Sequence, residues 1–170
     1  MSGTKGRRGG RGTAAAPPPR IVILSLPRAH SYEPHGCEVC ISITDPKAAP
    51  ARVSPAFRSV LRVSFTDIIE PTGLDWHVLF TPEHAEKILD FVDRWSNVEA
   101  IVIHCVGGLS RSPAVGMALC ELHGWPLGAM ETDYPIWNKW VRSELVRRGR
   151  ERRKRATLRA KPANTPGKRS

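Results

Sequence analysis

The chain has 170 residues, of which 41% are hydrophobic and 25% are charged. These values are typical of one globular domain with its own core, and they argue against a disordered, fibrous or disulfide-stapled protein. The net charge of +10 is unevenly distributed, because residues 1–20 carry five Lys/Arg and no acid, and residues 142–170 carry twelve Lys/Arg and two acids. We therefore expect a domain over residues 20–148, flanked by disordered basic tails over residues 1–19 and 149–170.

The composition also bears on location and partners. No apolar run reaches the roughly eighteen residues of a membrane span, and four cysteines are too few and too unevenly spaced for a disulfide scaffold. We expect a soluble, cytoplasmic monomer that does not contact membranes, with basic tails that attract nucleic acid nonspecifically. Cys37 and Cys40 have the spacing of half a zinc site, but no second pair follows, so we expect no metal and no cofactor.

Four short apolar runs, rich in Val and Ile, predict strands that are covered on both faces of a sheet. They span residues 21–26, 39–44, 60–65 and 101–105. Runs this short and this rich in β-branched residues are typical of strands in a parallel sheet, where helices cover both faces.

Helical patterns follow the third and fourth strands. Thr81 and Pro82 predict the start of a helix, because a hydroxyl residue caps the first turn and proline fits the first helical position. A second helix is predicted from Ser112 to a stop at Gly124, and a third from Tyr134 to about residue 150. Strands that alternate with helices favour an α/β fold, with a mostly parallel central sheet flanked by helices.

The most informative segment joins the fourth strand to the second predicted helix. It reads His104-Cys105-Val106-Gly107-Gly108-Leu109-Ser110-Arg111-Ser112. Glycines let consecutive backbone N–H groups turn inward and form an anion-binding cradle, and the helix N-terminus adds its positive dipole end. An arginine fork can bind two phosphate oxygens. The segment predicts a phosphate-binding loop whose substrate-binding residues are Val106, Gly107, Gly108, Leu109, Ser110 and Arg111.

Cys105 stands at the start of this loop. The positive field of the helix and of Arg111 favours its thiolate form, which is a nucleophile. A thiolate inside a phosphate cradle is placed to attack phosphorus and to form a phosphocysteine that water then hydrolyses. The Ser112 hydroxyl can hydrogen-bond the sulfur when it leaves. Two alternatives remain open, a buried structural cysteine and a loop that binds phosphate without turnover.

The spacing of His104-Cys105, five residues and Arg111-Ser112 resembles the HCx5RS signature of the protein tyrosine phosphatase superfamily. The short domain is similar to the compact dual-specificity members, over about residues 20–148. The resemblance implies Cys105 as nucleophile, Arg111 as phosphate ligand and Ser112 as the hydroxyl that assists hydrolysis. It also implies that His104 tunes the cysteine. Gly107 stands where the family often has alanine, which changes little sterically.

A cysteine phosphatase also needs a general acid, because the leaving oxygen must gain a proton. The resemblance implies an aspartate in a loop that follows the strand before the long helix. The third predicted strand is followed by Thr66 and then Asp67. We predict Asp67 as the general acid, with Glu70 and Asp75 in the same loop as alternatives.

The substrate is less well defined, because cleft depth and surrounding loops select it. The resemblance implies a phosphorylated protein as partner, with phosphotyrosine or phosphoserine/threonine. The basic tails motivate an RNA 5′-phosphatase of the same superfamily as an alternative, and a catalytically inactive phosphate-binding module is another. A rhodanese-type sulfur transferase also uses a loop cysteine, but its loop is usually a residue shorter.

Overall fold

The computed structural model describes residues 16–160, so residues 1–15 and 161–170 of the two expected tails lie outside the described part. Four strands form one sheet: β1 (Arg20–Ser25), β2 (Glu38–Thr44), β3 (Ser59–Ser64) and β4 (Ala100–Cys105). Their order is β1-β4-β2-β3, and every neighbouring pair is parallel. The predicted parallel sheet is confirmed.

Five helices accompany the sheet within residues 16–160: α1 (Leu26–Ser31), α2 (Pro82–Arg94), α3 (Arg111–His123), α4 (Met130–Asp133) and α5 (Lys139–Ala160). α2 begins after Thr81 as predicted, and α3 ends at Gly124, whose φ of 67° is left-handed. α3 begins at Arg111, one residue before the predicted Ser112. α1 and α4 were not predicted, because six and four residues are too short to show a helical period.

The predicted bounds of the last helix are wrong at both ends. α5 begins at Lys139 rather than at Tyr134, because Asn138 caps its first turn: Asn138 Oδ1 accepts the Val141 N–H at 3.0 Å. α5 also continues to Ala160. Residues 149–160 are therefore helical, and not part of a disordered tail as the run of basic residues had suggested.

Contacts with other helices explain the extra turns of α5. Gly149 is buried against α3, so close that a Cβ there would lie 2.6 Å from Leu122 Cδ1. Arg152 pairs with three carboxylates of α2, Glu86 Oε2 at 2.9 Å, Asp90 Oδ1 at 2.8 Å and Asp93 Oδ2 at 3.1 Å. These acids lie some sixty positions away in the sequence, so a local pattern of basic residues does not reveal the pairing.

The sheet is covered on both faces. Ile101 and Ile103 of β4 belong to the main core with α2, α3 and α5. Val102 lies in a smaller cluster with Leu24 and Cys40. Within residues 16–160, no helix is both long enough and apolar enough to cross a membrane. The arrangement places the carboxyl end of β4, an interior strand, at the edge of the sheet where α3 begins.

Leu145→Ala tests whether α5 is a core helix. Leu145 is fully buried, so we expect its truncation to lower the free energy of unfolding by about 2–5 kcal/mol. Leu158→Ala is the matched control in the same helix, because Leu158 is 72% exposed, and we expect a change within about 0.5 kcal/mol. Urea denaturation followed by circular dichroism measures both. Equal effects would show that α5 does not pack on the domain.

Candidate active site

The loop 106–110 is supported by the backbone at the end of β1. Gly108 has a φ of 70°, and a Cβ at this residue would lie 2.7 Å from the Ser25 backbone nitrogen. The Leu26 N–H donates to Val106 O at 3.0 Å. Any residue but glycine at position 108 would be strained both by its backbone conformation and by contact with β1.

Two donors converge on the sulfur of Cys105, which is buried. Gly108 N–H and Ser112 Oγ–H each donate to Sγ at 3.2 Å. Hydrogen-bond donors stabilise an acceptor that carries negative charge more than a neutral one. The loop and the first turn of α3 therefore direct two hydrogen-bond donors at one sulfur.

Arg111 is the first residue of α3, and its guanidinium is fixed through one nitrogen, Nη1. The side chain is buried, and Nη1 donates to Asp45 Oδ1 and to Phe65 O, both at 2.8 Å. Among the described residues, the buried Nε has no hydrogen-bond partner. A buried donor without a partner is costly. The Nε edge of the guanidinium therefore remains available to an anion in the loop.

Asp45 was not predicted as a site residue. It follows β2, the neighbour of β4 in the sheet, and its carboxylate forms the salt bridge that fixes Arg111. The carboxyl ends of parallel strands meet at the same edge of a sheet. The sequence therefore contained a signal, an acid directly after a buried strand. Using that signal required the strand order, which the sequence did not reveal.

Asp67 lies next to the loop. Its Oδ1 accepts hydrogen bonds from Ser110 Oγ and from Asn138 Nδ2, both at 2.8 Å, and its Oδ2 lies 4.0 Å from Arg111 Nε. Glu70 also lines the adjoining cleft, which has a volume of about 630 Å³, whereas Asp75 does not. Of the three predicted acids, Asp67 is the one that the structure joins to the phosphate loop.

Asn138 is the second site residue that the sequence did not reveal. Its amide nitrogen holds Asp67, and its Oδ1 caps α5 at the Val141 N–H. Its backbone N–H donates to Ser110 O at 3.1 Å. One buried asparagine thus joins the start of α5 to both the acid and the loop, and the only signal in the sequence is that asparagine is a frequent helix cap.

His104 is oriented away from the sulfur. The ring is buried, and Nε2 lies 2.8 Å from Ser42 Oγ on β2. Burial lowers the pKa of His104 from 6.5 to about 4, so the ring is neutral at neutral pH. Because the unfolded chain binds this proton more readily, His104 should favour unfolding as the pH falls from about 6.5 towards 4. No hydrogen bond joins its side chain to the Cys105 sulfur among the described residues.

No protein-family model and no curated protein sequence matches this chain. Its structure is similar to a mouse protein assigned as a dual specificity phosphatase and crystallised with zinc tungstate. The TM-score is 0.51 at 19% identity, and the match covers 87% of this chain and 97% of the mouse chain. PTPMT1 in complex with PI(5)P gives a TM-score of 0.51 at 19% identity, covering 81% and 94%. The chain therefore has the fold of the dual-specificity phosphatases, as the resemblance implied.

The matched pair Gly108→Ala and Gly107→Ala tests the geometry of the loop. Alanine at 108 meets the backbone of β1, so we expect the free energy of unfolding to fall by roughly 1–3 kcal/mol. At 107 the nearest atom to a new Cβ is Leu109 Cδ1 at 3.9 Å, and we expect a change within about 0.5 kcal/mol. Urea denaturation of both variants measures the difference. Two equally stable variants would contradict this loop conformation.

Proposed function

We propose that the chain is a cysteine-dependent phosphomonoester hydrolase of the dual-specificity type that acts on phosphorylated protein. The convergence of two donors on the Cys105 sulfur, beside an Arg111 whose Nε has no hydrogen-bond partner among the described residues, is the observation that carries this proposal. A phosphate dianion in the loop satisfies the arginine and stands above the sulfur. The fold of the similar phosphatases supports the same function.

In the first step, the Cys105 thiolate attacks phosphorus. The S–P bond forms while the P–O bond to the leaving group breaks, and the leaving oxygen takes a proton from the Asp67 carboxyl. Arg111 binds two phosphate oxygens and stabilises the charge that they carry in the transition state. The contacts of Asp67 with Ser110 and Asn138 hold the acid beside the loop.

In the second step, water attacks the phosphocysteine. The Asp67 carboxylate accepts a proton from the water, the S–P bond breaks, and inorganic phosphate leaves. Ser112 donates its hydroxyl hydrogen to the sulfur at 3.2 Å, which stabilises the thiolate as a leaving group. The cysteine and the acid then return to their starting protonation states.

Two alternatives are less well supported. A module that only binds phosphate needs neither a sulfur under the anion nor a carboxylate fixed next to it. An RNA 5′-phosphatase was suggested by the two basic tails, but several basic residues near the C-terminus pair with acids of the domain. Arg148 binds Glu86, Arg150 binds Glu121 and Arg152 binds three carboxylates of α2. This pairing reduces the charge left to attract RNA.

Cys105→Ser tests the covalent step. A serine hydroxyl is not ionised at neutral pH, so we expect kcat with a small aryl phosphate to fall below about a hundredth of the wild-type value. Binding of inorganic phosphate should persist, because the loop and Arg111 are unchanged. Cys37→Ser is the control, since Cys37 is exposed and belongs to no part of the loop. A Cys105→Ser enzyme with substantial turnover would refute the phosphocysteine mechanism.

Asp67→Asn tests the general acid. We expect kcat to fall by about a hundredfold or more for aryl phosphates with poor leaving groups, and much less for those whose leaving group is already acidic. Glu70→Gln and Asp75→Asn are controls from the same loop. If one of these shows the leaving-group dependence instead, Asp67 is not the acid.

A further inference from the structure

We propose that the rim of the candidate active site selects phosphorylated peptides with apolar side chains beside the phosphoresidue and a Lys or Arg close to it. The rim consists of Ile69, Glu70, Leu109 and Ile136. The proposal rests on the proposed function and deepens it, because it names the substrate class of the same site.

Large exposed hydrophobic side chains are concentrated on the segments that contribute to the cleft or to the loop 106–110. Of the seven that are exposed within residues 16–160, six belong to the loop 66–80, to the loop 106–110 or to the segment before α5. They are Ile69, Leu74, Trp76, Val106, Leu109 and Ile136. Exposed apolar groups that gather at one place, rather than singly over the surface, mark a binding surface.

Two of these side chains share a cleft with the proposed acid, Asp67. Ile69 and Ile136 line the cleft that Asp67 and Ser110 also line, and they are 59% and 64% exposed. The phosphate itself binds in the loop, so it does not cover these side chains. Apolar groups on either side of the phosphate would cover them, and removing that surface from water stabilises the complex.

The charges near the cleft favour a cationic peptide. The loop 66–80 contains three carboxylates and no Lys or Arg. Asp67 is held by the loop, whereas Glu70 and Asp75 form no salt bridge with any described residue. Among the described residues that line the cleft, Lys139 is the only Lys or Arg. It forms no salt bridge with Glu70. A substrate Lys or Arg can therefore pair with Glu70, which has no partner of its own there.

The same charges argue against two other classes of phosphate ester. RNA and an anionic lipid surface would both bring further phosphates towards Glu70, and like charges at a contact oppose binding. Surfaces that dock on anionic membranes combine apolar groups with Lys and Arg, but this loop combines them with acids. A peptide with apolar and basic neighbours matches both features of the rim.

The test compares kcat/KM for peptides that share one central phosphotyrosine. One peptide has Ile neighbours and a nearby Lys, the second has Ser neighbours and the Lys, and the third has Ile neighbours and a Glu. For each enzyme variant, kcat/KM for a peptide is divided by kcat/KM for a small aryl phosphate, and these ratios are compared. A 5′-phosphorylated RNA oligonucleotide and phosphatidylcholine vesicles with a phosphoinositide are assayed beside them.

For the wild type, we expect the ratio for the Ile/Lys peptide to exceed the other two by roughly three- to tenfold. The double variant Ile69→Ser, Ile136→Ser should lose the preference for Ile over Ser neighbours. Glu70→Lys should reverse the preference between Lys and Glu. Leu158→Ser is the matched control, because Leu158 is exposed on α5 and outside the rim, and it should keep every ratio.

Equal ratios for the three peptides in the wild-type enzyme would overturn the proposal. So would unchanged preferences in the rim variants, or a higher kcat/KM for the RNA or the vesicles than for every peptide. These outcomes are distinct from a failure of the proposed function, which would appear as the absence of Cys105-dependent hydrolysis of the aryl phosphate itself.

Discussion

The hydrogen bonds of the buried Arg111 guanidinium organise the site. A buried charge is costly unless it is paired, and Arg111 finds its partners in Asp45, which follows β2, and in the Phe65 carbonyl, which follows β3. The arginine itself begins α3, after the loop that follows β4. One side chain thus fixes the ends of three strands relative to one another.

The acid and the last helix depend on this arrangement in turn. Asp67 lies two residues after Phe65, so the backbone segment that binds Arg111 also determines the position of the Asp67 backbone. Asn138 then fixes the carboxylate and starts α5 with the same side chain. Because α5 packs in the main core through Leu145 and against α3 through Gly149, the position of the acid is coupled to the packing of that core.

The sequence predicted what depends on local patterns. The strands, the glycine-rich loop and the residues 105, 111 and 112 follow from short-range periodicity and spacing. Asp45 and Asn138 could not be found in this way, because their contacts reach across 66 and 71 positions of the chain. The predicted end of α5 was wrong for the same reason, since acids that pair with its arginines lie on α2 and α3. A run of basic residues shows that a segment is charged, but it does not show which acids neutralise that charge in the fold.

The four thiols of the domain are not equivalent towards chemical reagents. Cys37 is exposed, whereas Cys40, Cys105 and Cys120 are buried. Burial raises the pKa of Cys40 to about 12 and also raises the pKa of Cys120, which keeps both as unreactive thiols at neutral pH. An alkylating reagent will therefore modify Cys37 readily, while Cys105 is reached only through its anion loop. The total number of thiols modified will therefore not measure the modification of Cys105, because Cys37 contributes to that total.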